Sequence, residues 1–90
     1  MALDAEKICE NIGRKVAELR QARGWTQEAF AVRIRSSFQW VSQVERGRNL
    51  TVYSLVKLGN ALGVSLPELL EPPDPSVRRR GPGRPKRKKL

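Results

Sequence analysis

Two glutamines one helical turn apart, Gln39 and Gln43, are the side chains best placed to do chemistry in this chain of 90 residues. A carboxamide offers a donor and an acceptor together, so it can pair with N7 and N6 on the major-groove edge of adenine. Both sit in residues 25–47, which read as two short helices joined by a tight turn. The second of these is predicted from Phe38 to Glu45, with Gly47 closing it. Val41 and Val44 lie three apart and face inward together. Phe38, Gln39, Ser42, Gln43 and Arg46 are left on the outer side, a polar face short of acids. A helix anchored by one apolar edge and lined with amides on the other suits the DNA major groove. Catalysis is not expected. The chain has no histidine and one cysteine, Cys9, so a Ser or Cys nucleophile lacks its usual base. The same shortage leaves no metal-ligand set of familiar spacing, and no cofactor is implied.

The elements that must position these residues are all helical. A first helix is predicted over residues 4–23, with Ile8, Ile12, Val16, Leu19 and Ala22 recurring at three- and four-residue steps. Gly24 closes it, and Trp25 plugs the gap to the next helix. Thr26 caps that second helix, whose packing positions are Ala29, Phe30, Ala31 and Ile34. Ser36 or Ser37 restarts the chain. After the loop of Arg48, Asn49 and Leu50, Thr51 caps a fourth helix over residues 52–62, with Leu55, Leu58, Ala61 and Leu62 toward the core. Gly63 ends it, and Ser65 with Glu68 caps a short fifth helix over residues 66–70. Pro67 is tolerated in a first turn, and Pro72 with Pro73 stops the helix. The expected plan is an all-α domain of five helices over residues 1–71, a Pro-rich linker over 72–77 and a tail over 78–90.

Ninety residues allow one small core. No run of about 18 apolar residues is present, so no membrane span is expected. An acidic N-terminus without signal layout and a single cysteine fit a reducing cytosol. Net charge is +9, unevenly spread. Eight of the 18 Lys and Arg, and none of the nine acids, fall in residues 78–90. Ten bases against nine acids leave residues 1–77 at +1. A cationic block of this kind repels itself and binds polyanions.

The segments TQEAFA, VSQVERGRN and KLGNALGVSLPELL, in register, resemble the lambda-repressor-like (Xre) helix-turn-helix family. The resemblance covers about Ile12 to Leu70, and the RGRN segment also resembles controller proteins of restriction–modification systems. It implies a sequence-specific transcriptional regulator that binds double-stranded DNA, as a homodimer on a palindromic operator. It places Phe38, Gln39 and Gln43 at base-reading positions, with Ser37 at the helix start. Phe38 stands where a polar residue is common, and either touches a thymine methyl or packs on the domain. Trp40 is expected to pack over a neighbour's aliphatic part. Gln27, with the amides of its helix start, is implied to hold a phosphate; Ser42, Arg46, Arg48 and Asn49 are further phosphate candidates. Arg20 and Glu45 occupy the positions of an ion pair that sets the angle of the recognition helix. The turn carries Arg35 where glycine is usual; either the turn is shaped differently, or Arg35 accepts a left-handed backbone and lies near phosphate. Dimer contacts in the family often come from the last helices, here Leu66, Leu69 and Leu70.

The tail, RRRGPGRPKRKKL, partly resembles an AT-hook, a peptide that lies along the narrow minor groove of A/T-rich DNA. Arg84 would be the inserted residue, with Gly83 permitting close approach and Pro85 keeping the backbone extended. Arg80, Lys86 and Arg87 would flank it, but Pro82 replaces the arginine usual before the glycine. Alternatives are a sequence-blind tail acting by counterion release, a nucleoid or RNA binder, an antitoxin-like protein-binding module, and, for PKRKK, a nuclear-import signal.

Overall fold

Five side chains in the sequence can each close the first turn of a helix, and each does so in the structure, a computed structural model that describes residues 2–73. Asp4 accepts from the Glu6 and Lys7 amides and starts α1, Ala5–Ala22. The Thr26 hydroxyl accepts from the Ala29 amide and starts α2, Gln27–Arg33. Ser37 does the same for Trp40 in α3, Phe38–Glu45. Thr51 caps α4, Val52–Leu62, and Ser65 caps α5, Leu66–Leu70. Each satisfies an amide that has no partner within its own helix. The described residues are therefore all-helical, with five helices, as expected.

The C-termini of α1, α2 and α3 share one device. Gly24, Arg35 and Gly47 take left-handed backbones with φ of 75°, 53° and 101°. In each, the amide two residues past the cap bonds back five residues: Trp25 to the Arg20 carbonyl, Ser36 to Ala31 and Arg48 to Gln43. The amide before it bonds back three: Gly24 to Gln21, Arg35 to Val32 and Gly47 to Val44. This double bond turns the chain sharply and satisfies carbonyls at the helix end. At the second of these ends the arginine takes the strained position itself. The turn keeps its usual shape, and the register of α3 is fixed with Ser37 as its cap.

The core is built where α1 crosses α3, α4 and α5, and α2 packs against α3. Val16, Phe30, Val44, Leu58 and Leu69 are fully buried, with Ile12, Ala31, Ile34, Val41 and Leu62 around them. The stripe expected on α1 is only partly right. Ile12 and Val16 are buried and Leu19 packs against the core, but Ile8 and Ala22 are exposed. Gly13, Lys15, Ala17 and Arg20 are buried instead, because α1 is flanked on two sides and needs a wider face. On α2, Ala29 is exposed, while Phe30, Ala31 and Ile34 pack inward as expected. Trp25 plugs the α1–α2 corner, its ring stacked 5.8 Å from that of Phe30, with the Arg33 guanidinium 4.2 Å from its centroid. Arg23 reaches from the end of α1 to the Leu62 carbonyl at the end of α4.

Gly13 marks the closest approach. A β-carbon there would lie 2.3 Å from the Val44 carbonyl oxygen and 2.9 Å from that of Glu45. The glycine lets α1 and the end of α3 touch backbone to backbone.

Candidate nucleic-acid interface

α3 is held from behind and bare in front. Val41 and Val44 anchor it, and Glu45 is buried at its end. The Glu45 carboxylate receives three donors: Arg20 Nε at 2.6 Å, Arg20 Nη2 at 3.0 Å and Gln27 Nε2 at 2.9 Å. Arg20 also donates to the Trp25 carbonyl at 2.7 Å. The expected ion pair is thus present, bidentate and buried, and it ties α1, α2 and α3 at one point. Leaving either charge without its partner inside the fold would cost about 3–5 kcal/mol.

In front, Gln39, Gln43 and Arg46 are exposed at successive four- and three-residue steps, which makes one stripe along the helix. Arg35 is exposed in the turn before α3, and Arg48 and Asn49 in the loop after it. Gln39 and Gln43 are brought onto one face, as their spacing required. Arg48 Nη1 donates to Gln43 Oε1 at 2.8 Å, a contact the sequence did not announce. Phe38 is half-buried at the first position of α3. Trp40 packs against the core with the Lys57 ammonium 5.7 Å from its ring centroid, which places it with the scaffold. Ser37 is exposed, its hydroxyl engaged as the α3 cap.

Three expected placements are corrected. Gln27 is buried, and its amide is committed to Glu45 rather than offered to a phosphate. The reason is visible in the chain: Gln27, Phe30, Ala31 and Ile34 fall at steps of three, four and seven, so Gln27 lies on the buried stripe of α2. Ser42 is buried rather than outward, because α3 is covered by α1 as well as α2. Leu69 is fully buried against the core, so it is not a surface for a second copy; Leu66 and Leu70 are exposed on α5. The tail residues Arg80, Gly83, Arg84, Pro85, Lys86 and Arg87 lie outside the described residues. No helix of the described residues is long and apolar enough to cross a membrane, and no group of metal-ligating side chains is found among them.

The described surface is thus a bare amide-rich helix behind a left-handed turn, with arginines at both ends. The helix-turn-helix family model HTH_3 matches residues 16–69, which takes in α2 to α4 and most of α5. The chain belongs to this family. It is a DNA-binding, non-enzymatic regulator of the lambda-repressor-like kind. An uncharacterised HTH-type transcriptional regulator of Sinorhizobium fredii, y4dJ, is 47% identical over 73 residues, which cover 80% of this chain and 91% of that one. Among solved structures, the restriction–modification controller protein C.AhdI of Aeromonas hydrophila is 35% identical, with a TM-score of 0.63, covering 68% of this chain and 94% of that one. The hypothetical transcription factor NHTF of Neisseria is 31% identical, with a TM-score of 0.70, covering 78% and 80%. The likeness to controller proteins suggested by the RGRN segment thus extends to the fold of the helix-turn-helix domain.

Proposed function

We propose that the chain recognises a palindromic operator as a homodimer, laying α3 in the major groove with Gln39 and Gln43 against base edges. The observation that carries this is the stripe of Gln39, Gln43 and Arg46 exposed on α3, with Arg35 and Arg48 at its ends. Exposed amides read base edges, and flanking arginines hold the phosphates that set register. Arg35, Arg46, Arg48 and Asn49 are the phosphate contacts, and the cap residue Ser37 lies beside the same backbone. Phe38 stands at the groove wall, where its exposed part can meet a thymine methyl.

Dimerisation brings two copies of α3 to half-sites about one helical turn, roughly 34 Å, apart. A single domain of this size covers little DNA, so pairing supplies affinity. Leu66 and Leu70, one turn apart and exposed on α5, are the contacts for the second copy. The basic segment 78–90 adds phosphate or minor-groove contacts.

The test is a titration on random and selected duplexes at several salt concentrations, with the mass of the complex measured alongside. A specificity ratio of at least about 10³ and the mass of two chains per duplex are expected. Equal affinity for both duplexes would instead make this a sequence-blind binder.

A further inference from the structure

The bond between Arg48 and Gln43 bears on which base is read, and the inference rests on the base-reading role given to Gln43 above. A free glutamine amide presents an acceptor beside donors, the match for N7 and N6 of adenine. Here the acceptor is already occupied. Arg48 Nη1 donates to Gln43 Oε1 at 2.8 Å. The backbone holds this arrangement in place. Gly47 adopts a φ of 101°, its amide donates to Val44, and the Arg48 amide donates to the Gln43 carbonyl at 3.0 Å. Arg48 is therefore bonded to Gln43 twice, once through main chain and once through side chain. The acid within α3, Glu45, is buried and engaged by Arg20 and Gln27, so it does not draw Arg48 away.

We propose that Arg48 is a positioning residue that makes Gln43 select guanine over adenine. With Oε1 bonded to a cation, Gln43 offers its two Nε2 hydrogens. Oε1 keeps a second lone pair, but the adjacent guanidinium disfavours the approach of the adenine N6 donor. One of the five guanidinium hydrogens is spent, and four remain to donate. Together the two side chains present donors only. Guanine is the base whose major-groove edge sets two acceptors, O6 and N7, side by side. Glutamine by itself points to adenine, so Gln43 carries no preference for guanine without Arg48.

The test is selection of bound duplexes from a random pool by four full-length chains: the native one, Gln43→Met, Arg48→Met and Arg48→Lys. Gln43→Met locates the base pair, as the position whose preference disappears. The expected result is guanine there for the native chain and for Arg48→Lys, which keeps a cationic donor. Arg48→Met should turn that position toward adenine by roughly ten-fold in relative enrichment, a change of base identity that mere loss of charge would not cause. Selection at low salt offsets the weaker phosphate attraction of Arg48→Met. Adenine at that position in the native chain, or guanine retained in Arg48→Met, would overturn the inference while leaving base reading by α3 intact. No Gln43-dependent position in an otherwise specific pool would overturn it too. Failure of the native chain to enrich any sequence would remove the proposed function itself, and this inference with it.

Discussion

Arg35 holds a left-handed backbone, φ 53°, between α2 and α3, where glycine would adopt the same conformation at no steric cost. A side chain there costs about 1–2 kcal/mol, partly offset because it also restricts the unfolded chain. The exposed guanidinium is what the position gains, beside the start of α3. Arg35→Gly is therefore expected to raise stability by about 0.5–1 kcal/mol while weakening DNA binding. Urea melts and duplex titrations measure the two effects separately; a less stable variant, or one with undiminished affinity, would contradict this balance. The same scale shows what spacing does and does not reveal. Gln39 and Gln43 were legible because nothing apolar shares their stripe. Gln27, given to phosphate by resemblance, is buried, as its register with Phe30, Ala31 and Ile34 already implied. The Arg48–Gln43 bond had no signal in the sequence, since it depends on how Gly47 turns the chain.

The helices themselves were legible nearly to the residue, and for a local reason. Capping is done by the residue type that stands in the sequence, so Thr26, Thr51 and Ser65 announce the starts they make, while Ser36 and Ser37 compete for the third and Ser37 takes it. What a helix packs against is not local. α3 is covered on two sides, which hid the burial of Ser42, and α5 turns Leu69 inward while leaving Leu66 and Leu70 out. Gly13 illustrates the same limit: a glycine inside α1 costs about 1 kcal/mol in helix propensity relative to alanine, and only the fold shows that the α3 carbonyls need the space. Gly13→Ala improves the isolated helix but puts a methyl 2.3 Å from the Val44 oxygen, against backbone that cannot step aside cheaply. A net loss of about 1–3 kcal/mol is expected, read as a lower thermal midpoint. A higher midpoint would mean that α1 and α3 do not approach as described.

At the scale of the whole molecule, charge and recognition are divided between parts. Residues 1–77 carry +1 and hold the helix proposed to read DNA, while residues 78–90 carry eight of the 18 basic side chains. Deleting 78–90 should weaken binding to random and selected duplexes alike, and flatten log K against log salt by up to about 7 if every tail charge meets a phosphate. An unchanged slope would show that the tail stays off DNA. Specificity, by contrast, should survive the deletion, because the proposed reading surface is α3. The most direct measurement compares the native chain with Gln39→Ala/Gln43→Ala on a selected and a random duplex, with thermal melting of both proteins. The expected result is a loss of roughly 1–3 kcal/mol per glutamine on the selected duplex, none on the random one, and an unchanged melt. An unchanged preference between the duplexes, or a collapse of the melt in its place, would contradict the assignment of α3 as the surface that reads DNA.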